Sequence, residues 1–407
     1  MTGERRILLS SGGTGGHIFP ALALAGELAR RGPGTRILFM GGAYGPEGRL
    51  AAAAGLDFIA LPVRGFMGRG ARALGAVPGM LRALAAAALV IRKFSPHAAV
   101  GFGGYASFAG VSAAALLGIP TAVHEQNALP GIGNRILGRM ARRVFLSMPD
   151  LTGAFDARKT LLTGNPVRAD IAALYERARQ KAALPENCAG QERAPRLLVM
   201  GGSRGARAVN LAVADAAAAL SDAGVEILHQ TGSEDFASVS AAYKALGTGK
   251  AEAVPFIDDV SRAYAWADLA FCRAGATTAA ELCAAGLPSL LVPFPHAARD
   301  HQRFNARVMA EAGAAEVLEQ ECFATHPETA AEILLSLLKD KAKLRVMSAK
   351  ALDAARPRAA AHMAEALAGL IGEGKTEPAR SRSVDRQRGE DGMNTRDGDT
   401  GRAGGTA

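Results

Sequence analysis

Short apolar runs alternate with longer amphipathic stretches over the first half of the chain. Six runs of four or five residues, each followed by turn residues, have this character: 7–11, 36–40, 57–61, 98–102, 121–124 and 143–146. Strands that are apolar throughout are typical of a parallel sheet covered by helices on both faces. A helix is predicted over 21–30, after the first strand.

The same alternation begins again after the polar segment 185–195. Five further strands are predicted: 196–200, 226–230, 253–256, 269–272 and 289–292. Each half opens with a strand, a glycine-rich loop and a helix. The sequence therefore predicts an α/β protein with two Rossmann-like domains, each a doubly wound parallel sheet, that face one another. The first domain covers 1–167 and the second 168–355, with the switch near Gly164-Asn165-Pro166.

The end of the chain differs from the rest. A last helix is predicted at about 356–371, and its position alone leaves open which domain it completes. Residues 372–407 contain one Val and one Met but no Leu, Ile or aromatic residue. Such a segment cannot bury enough apolar surface to offset its ordering entropy, so a disordered tail is predicted.

Charge is distributed unevenly between the two halves. Residues 1–167 carry a net charge of +11, whereas residues 168–371 carry −2. A basic half suits an anionic partner, namely a membrane, a phosphate or a nucleic acid, although a merely solubilising surface is the alternative. The basic residues are not interleaved with the aromatic side chains that stack on bases, so a nucleic acid is disfavoured.

One basic segment, 63–94, also contains many apolar residues. Such a segment can rest in a bilayer interface or pack as an ordinary amphipathic helix, and Pro78 limits it to a kinked or late-starting helix. No stretch reaches the roughly 18 apolar residues of a membrane span. The four cysteines show neither close pairing nor metal-type spacing, which is typical of reduced cytosolic thiols.

The loop from Gly12 to His17 follows a predicted strand and opens a helix. Backbone N–H groups and the positive end of the helix dipole form an anion site there. A dinucleotide fingerprint does not fit, because the position of its last glycine is Ile18 and no acidic residue stands about 20 positions on. A helix start keeps an imidazole neutral, so His17 is either a candidate general base or a structural histidine.

Further polar groups stand at other predicted strand ends. The sequence GGSRGA at 201–206 is a second glycine-rich loop between a predicted strand and a predicted helix. At another helix start, Thr277 and Thr278 can donate to phosphate oxygens. Glu281 can reach both hydroxyls of a ribose, or it can merely compensate the helix dipole. The remaining groups at strand ends are Gly103-Gly104-Tyr105, His124-Glu125-Gln126-Asn127, and His301-Gln302 with Asn305.

Six of these stretches together resemble a known family. They are 12–25 (GGTGGHIFPALALA), 101–107 (GFGGYAS), 124–135 (HEQNALPGIGNR), 163–168 (TGNPVR), 201–210 (GGSRGARAVN) and 273–295 (RAGATTAAELCAAGLPSLLVPFP). In this order they resemble the MurG family, the N-acetylglucosaminyltransferases that make lipid II in peptidoglycan synthesis. The resemblance implies a GT-B fold with the active site in the cleft and a last helix that returns to the N-terminal domain.

The resemblance also implies roles for individual residues. Arg168 and Ser203 would hold the donor diphosphate, the Ile257 backbone the uracil, and Glu281 the ribose. The other donor contacts would be Thr14, Gly15, Gly16, Asn127, Ala276, Thr277, Thr278, Ala279, Ala280, His301 and Gln302. The acceptor side would comprise Thr14, Gly15, Gly16, His17, Tyr105, Glu125 and Asn127.

The implied reaction is an inverting transfer from UDP-N-acetylglucosamine to lipid I, in which His17 takes the proton and Glu125 is the alternative base. No metal site and no bound cofactor are expected, although magnesium could raise activity because the substrates are diphosphates. The expected location is peripheral, on the cytoplasmic face of the bacterial plasma (inner) membrane, with cell-wall synthesis proteins as further partners. A UDP-sugar epimerase on the same two-domain plan and a nucleotide- or nucleic-acid-binding protein without catalysis are the alternatives.

Overall fold

The computed structural model describes residues 5–63, 77–183, 193–201 and 206–373. Its N-terminal sheet has seven parallel strands in the order β3-β2-β1-β4-β5-β6-β7. These strands are β1 (Arg6–Ser10), β2 (Arg36–Gly42), β3 (Asp57–Leu61), β4 (Ala98–Gly101), β5 (Thr121–Glu125), β6 (Arg143–Leu146) and β7 (Thr160–Leu162). The order in which β4 returns beside β1 is that of a doubly wound sheet.

The second sheet has six parallel strands in the order β10-β9-β8-β11-β12-β13. These strands are β8 (Arg196–Met200), β9 (Glu226–Gln230), β10 (Ala251–Val254), β11 (Leu269–Arg273), β12 (Ser289–Val292) and β13 (Ala315–Val317). The predicted fold class is confirmed. The strand predicted over 253–256 lies two residues earlier, and the three-residue edge strands β7 and β13 were not predicted.

Helices cover both faces of each sheet. They are α1 (Gly15–Arg31), α2 (Glu47–Ala53), α3 (Val77–Phe94), α4 (Gly104–Leu116), α5 (Ile132–Met140), α6 (Ala169–Ala172), α7 (Leu174–Ala182), α8 (Arg207–Asp222), α9 (Phe236–Ala245), α10 (Val260–Trp266), α11 (Ala276–Ala285), α12 (His301–Glu311), α13 (Gln320–Thr325), α14 (Glu328–Lys339), α15 (Lys341–Ala354) and α16 (Ala359–Glu373). Ile7 and Leu9 of β1 are buried in one core and Leu8 in another, which is why the strand is apolar throughout.

Helix α1 begins six residues earlier than the predicted helix over 21–30. Thr14 is its extended N-cap residue, and Pro20 lies inside the helix. The glycines at 15 and 16 are therefore the first residues of the helix itself. This places His17 in the first turn, at the positive end of the helix dipole.

The chain passes between the domains at two adjacent places. The first connection passes through Gly164 and the second through Arg356. Gly164 has a φ of 88°, and a Cβ atom on it would lie 2.5 Å from Cβ of Arg356, so only glycine fits at this position. After Arg356 the last helix, α16, packs on α1, with Met363 and Leu367 in the N-terminal core. Helix α16 therefore completes the N-terminal domain.

Several predicted features lie outside the described residues. They are residues 64–76 of the basic segment, part of the second glycine loop with Ser203, and the tail from residue 374. Within the described part, α3 begins at Val77 with Pro78 in its first turn, as a late-starting helix does. None of the described helices combines the length and apolar character that crossing a membrane requires.

Candidate active site in the cleft between the domains

The loops that follow the strands of the two sheets meet in one cleft. In the N-terminal domain they are the loop before α1, the glycine pair before α4 and the segment after β5. In the C-terminal domain the start of α11 faces them. Ligands of open α/β sheets bind at this carboxyl edge of the strands, and here two such edges face each other.

His17 is half-buried in the first turn of α1, and its Nδ1 lies 3.0 Å from Oε1 of Gln126. The ring packs against Gly103, where an added Cβ would lie 2.9 Å from Nδ1 and where φ is 99°. Burial lowers the pKa of His17, while the charge of Glu125 partly opposes this shift. His17 is therefore neutral at pH 7 and can accept a proton.

Glu125 is buried at the end of β5, and its carboxylate accepts four hydrogen bonds. Oε1 accepts from the backbone and side-chain nitrogens of Asn127 at 3.0 and 3.2 Å. Oε2 accepts from the backbone N–H of Gly131 at 3.0 Å and from Nδ2 of Asn134 at 2.9 Å. The carboxylate thus holds the turn between β5 and α5, and its lone pairs are occupied.

Thr277 joins the two domains directly. Its hydroxyl donates to the backbone carbonyl of Gly16 at 3.0 Å and accepts from Nδ2 of Asn165 at 3.1 Å. The start of α11 is therefore held against the start of α1. The sequence predicted that the Thr277 hydroxyl donates to a phosphate oxygen. In this conformation it donates to Gly16 of the other domain instead.

Asn305 makes a second bridge and is fully buried. Its Oδ1 accepts from the backbone N–H of Ala128 at 3.0 Å, and its Nδ2 donates to Oδ1 of Asn127 at 3.2 Å and to the carbonyl of Ala274 at 3.2 Å. The side-chain amide therefore pairs groups of both domains. In the sequence Asn305 was noted only as a polar residue that follows His301-Gln302, and nothing there indicated a bridge.

Glu281, in the second turn of α11, lies near the guanidinium of Arg168. Nε of Arg168 is buried, 3.6 Å from Oδ1 of Asp170, and has no hydrogen-bond partner among the described residues. Oε2 of Glu281 accepts from the hydroxyl of Tyr264 at 2.8 Å. Burial raises the pKa of Glu281 to about 7, although the Tyr264 hydrogen bond and the charge of Arg168 lower it.

The other predicted site residues lie around these groups. Ile257 is buried after β10, Tyr105 is half-buried in the first turn of α4, and Oε1 of Gln302 accepts from the backbone N–H of Phe294 at 3.0 Å. His301 opens α12, close enough to His17 to lower its pKa. The small residues Ala276, Thr278, Ala279 and Ala280 form the first turns of α11.

The residues before α12 have an unusual backbone. Arg299 and Asp300 have φ values of 57° and 55°, in the left-handed region that non-glycine residues seldom adopt. Two consecutive residues of this kind cost free energy and are found mainly at functional sites. No residue pattern in this segment predicted the strain.

Glu47, at the start of α2, is a further site residue that sequence reasoning missed. It is 2% exposed, and Oε1 accepts from the backbone N–H of Gly13 at 2.8 Å. Oε2 is also buried and has no partner among the described residues. The buried carboxylate therefore accepts the hydrogen bond of the Gly13 N–H, so this donor of the glycine loop is not available to a ligand. The only signal was an acidic residue after a glycine-rich strand end.

Metal ligands are not clustered in the described part of the chain. Nowhere in it do three or more His, Cys, Asp or Glu side chains come together in a way that could hold a metal ion.

Comparison with known proteins gives the family. The model of the glycosyltransferase family 28 N-terminal domain matches residues 7–146, and that of the C-terminal domain matches residues 196–363. A protein of Nitratidesulfovibrio vulgaris (strain DSM 19637 / Miyazaki F), named UDP-N-acetylglucosamine--N-acetylmuramyl-(pentapeptide) pyrophosphoryl-undecaprenol N-acetylglucosamine transferase, is 53% identical over 372 residues, which are 90% of this chain and 97% of the relative. A protein of the same name from Solidesulfovibrio magneticus is 50% identical over 89% of this chain and 97% of its own.

Solved structures agree with these relatives. The crystal structure of MurG from Acinetobacter baumannii matches with a TM-score of 0.72 and 31% identity, over 90% of this chain and 99% of that one. A UDP-GlcNAc 2-epimerase from Neisseria meningitidis matches with a TM-score of 0.62 at 13% identity, over 89% of this chain and 100% of that one, which shows a shared fold alone. The chain therefore belongs to glycosyltransferase family 28 and, within it, to the MurG group.

Proposed function

We propose that the chain transfers N-acetylglucosamine from UDP-N-acetylglucosamine to the 4-hydroxyl of the N-acetylmuramoyl unit of lipid I, with inversion at the anomeric carbon, so that lipid II and UDP are formed. The names of relatives that are 50–53% identical describe this transfer. The observation that carries the proposal is the hydrogen bond between Thr277 and Gly16. It joins a helix start that suits a diphosphate to the loop that carries His17.

The donor binds to the C-terminal domain. The first backbone N–H groups of α11 and its dipole attract the diphosphate, and Arg168 adds a guanidinium beside them. Glu281 accepts hydrogen bonds from the ribose hydroxyls, and the backbone of Ile257 binds the uracil. The remaining donor contacts are Thr14, Gly15, Gly16, Asn127, Ser203, Ala276, Thr277, Thr278, Ala279, Ala280, His301 and Gln302.

The acceptor binds to the N-terminal domain, against Thr14, Tyr105 and Asn127. His17 takes the proton of the muramoyl 4-hydroxyl as that oxygen forms a bond to the anomeric carbon. The bond from this carbon to the diphosphate breaks, and UDP leaves with the electron pair. The start of α11 stabilises the negative charge that develops on the leaving diphosphate.

His17 is a better base than Glu125 because of their surroundings. The four donors on the Glu125 carboxylate would each compete with an incoming proton. His17 has a lowered pKa and a ring nitrogen opposite Nδ1. Glu125 therefore shapes the acceptor side and supplies a negative charge that favours the protonated form of His17 during the reaction.

The membrane contact is an apolar face on three helices, α3, α4 and α5, which pack side by side. We define the apolar face by its exposed residues Leu81, Leu89, Leu116, Ile132, Ile136 and Met140. Exposed basic residues of the same helices, among them Arg82, Arg92, Lys93, Arg135 and Arg139, surround it. An apolar patch with a basic rim suits the anionic cytoplasmic surface of the inner membrane, where the lipid-linked acceptor resides.

No bound cofactor takes part in the proposed reaction, and magnesium acts at most by pairing with the diphosphates of the substrates. Proteins of cell-wall synthesis are expected partners on the same membrane surface. A nucleic acid is not expected.

The test is transfer of radiolabelled sugar from UDP-N-acetylglucosamine to a lipid I analogue, while free UDP and epimerised UDP-sugar are measured in parallel. Labelled lipid together with an equal amount of UDP is the expected result. Epimerised UDP-sugar without labelled lipid would contradict the proposal and would favour the epimerase that shares this fold. The same assay with added magnesium or with EDTA tests whether the transfer requires a divalent metal ion.

A further inference from the structure

A row of hydrogen-bonded side chains runs from His17 into the N-terminal domain. Oε1 of Gln126 lies 3.0 Å from Nδ1 of His17, and Nε2 of Gln126 lies 2.8 Å from the carbonyl oxygen of Phe102 and 3.1 Å from Nδ1 of His124. Gln126 is 1% exposed and His124 is fully buried. The row is therefore shielded from water and is fixed by packing on both sides.

The backbone carbonyl of Phe102 determines where the protons of this row lie. A carbonyl oxygen can only accept, so the NH₂ group of Gln126 must face it and the amide oxygen must face His17. That amide oxygen can also only accept, so Nδ1 of His17 must carry the ring proton. Nε2 of neutral His17 is then left with its lone pair.

The same reasoning applies to His124. Its Nδ1 accepts from the NH₂ group of Gln126, so its ring proton is on Nε2, which lies 3.3 Å from the carbonyl of Gly164 and 3.3 Å from the hydroxyl of Ser147. Burial lowers the pKa of His124 to about 3, so the ring stays neutral. His124 thus accepts the second hydrogen bond of the Gln126 NH₂ group and prevents the amide from rotating by 180°.

We propose that Gln126 and His124 are positioning residues, which hold His17 in the tautomer with a proton on Nδ1 and thereby make Nε2 the atom that receives the acceptor proton. This inference rests on the proposed function for the identity of the transferred proton. In the step itself, the proton of the acceptor hydroxyl moves to Nε2 and His17 becomes a cation whose Nδ1–H still donates to Gln126. The row therefore keeps the same hydrogen bonds before and after proton transfer, and no side chain has to reorient.

The row also reaches the donor side. Gly164 accepts from His124, its neighbour Asn165 donates to Thr277, and Thr277 donates to Gly16, which precedes His17 in the chain. The base and the start of the donor helix are thus joined through a closed circuit of five hydrogen bonds and two peptide links, Gly164–Asn165 and Gly16–His17. A change in the circuit is expected to affect turnover more than donor binding.

The tautomer can be measured directly by NMR on the full chain labelled with ¹⁵N-histidine, at a pH at which His17 is neutral, with His17→Ala to assign its signals. We expect a protonated Nδ1 and an unprotonated Nε2, the opposite of the form that free imidazole side chains prefer in water. A protonated Nε2 in the wild-type protein would overturn the proposal. This readout does not depend on activity, so it remains valid even if the proposed reaction is wrong.

Substitutions of the row provide the functional test. Gln126→Leu is expected to shift His17 toward the other tautomer and to lower kcat by about tenfold or more, since a general base contributes about 10²–10⁴-fold, with the donor KM unchanged. His124→Asn, whose amide oxygen can replace Nδ1 as the acceptor, should keep the wild-type tautomer and most of the activity, whereas His124→Leu should not. Equal activity and equal tautomer in all three variants would overturn the proposal, and thermal unfolding identifies any variant that does not fold.

Discussion

The hydroxyl of Thr277 in the C-terminal domain donates a hydrogen bond to the carbonyl oxygen of Gly16 in the N-terminal domain, at 3.0 Å. These residues lie in the first turns of α11 and α1, so the contact sets the distance between the two helix starts. A neutral hydrogen bond of this kind stabilises by about 0.5–1.5 kcal/mol. That is enough to favour a closed cleft and small enough to allow the cleft to open for its substrates.

Replacing Thr277 with Val should therefore open the cleft. The side chain keeps its shape and loses the hydroxyl, and with it the hydrogen bonds to Gly16 and from Asn165. We therefore expect a larger radius of gyration in small-angle scattering and a loss of transfer of about tenfold to a hundredfold, as the free energy of two hydrogen bonds allows. Thr278→Val is the matched control for the scattering, because it removes the neighbouring hydroxyl and leaves the bond to Gly16. Equal scattering curves for the two variants would contradict this role of Thr277.

Glu47 is expected to support the first glycine loop. Glu47→Ala removes the acceptor of the Gly13 N–H and leaves this donor without its partner, which should lower the free energy of unfolding by about 1–3 kcal/mol. Glu47→Gln retains an amide oxygen in the same place and should keep most of the activity. Denaturant unfolding and the transfer assay check both variants, and an alanine variant as stable and as active as the wild type would refute the idea.

Glu281 should make donor binding depend on pH. The carboxylate that accepts ribose hydroxyls is the ionised form, and its pKa is about 7 in the folded protein. We therefore expect the affinity for UDP-N-acetylglucosamine, whose diphosphate diester does not titrate in this range, to rise by about tenfold between pH 6 and pH 8. Titration calorimetry measures this, and Glu281→Gln should bind more weakly with no such rise. A wild-type affinity that is constant over this range would contradict the assignment.

The raised pKa of Glu281 also predicts how the stability of the protein without substrate depends on pH. Between its ordinary pKa of 4.5 and its folded pKa of about 7, Glu281 holds a proton in the folded state but not in the unfolded state. Its contribution to the free energy of unfolding is therefore fully present below pH 4.5 and is lost as the pH rises to about 7. The difference between wild type and Glu281→Gln, measured by denaturant unfolding, should follow this course and become constant above pH 7.

The apolar face should carry the membrane contact. Leu81→Glu and Leu89→Glu place a charge on residues that are 60% and 66% exposed, so folding should be unaffected while binding to anionic vesicles weakens several-fold. Val346→Glu is the matched control, since Val346 is 60% exposed but lies on α15 of the other domain. Vesicle sedimentation at two salt concentrations gives the result, and equal binding of all three variants would exclude this face.

Much of the architecture could be predicted because β-strands of parallel sheets are apolar on both faces. Ile7, Leu8 and Leu9 are all buried, in two different cores, and this gave a clear strand. The edge strands β7 and β13 have only three residues each, too few for a pattern. The start of α1 was placed too late because Gly15 and Gly16 are poor helix formers, whereas in the structure Thr14 is the extended N-cap residue and both glycines are helical.

The candidate site was only partly visible in the sequence. Motif resemblance pointed to His17, Glu125 and Glu281, which lie in the first turn of α1, at the end of β5 and in the second turn of α11. It could not reveal that four donors saturate the Glu125 carboxylate, because this depends on how the turn from Asn127 to Asn134 folds around it. Nor could it reveal that Asn305 bridges the domains, because its partner Ala128 lies 177 residues away in the chain. Hydrogen bonds across more than a hundred residues follow from the fold rather than from local spacing.

Whether His17 is the general base of the transfer can be measured by single-turnover transfer from a preformed complex with UDP-N-acetylglucosamine to a lipid I analogue, for wild type and His17→Ala. Because both proteins start with bound donor, the rate reports the chemical step. We expect rapid formation of labelled lipid by the wild type and a rate about 10²–10⁴-fold lower for His17→Ala, with unchanged donor affinity. A loss of less than about tenfold would contradict the assignment of His17 as the base, and absence of labelled lipid with the wild type would contradict the proposed reaction itself.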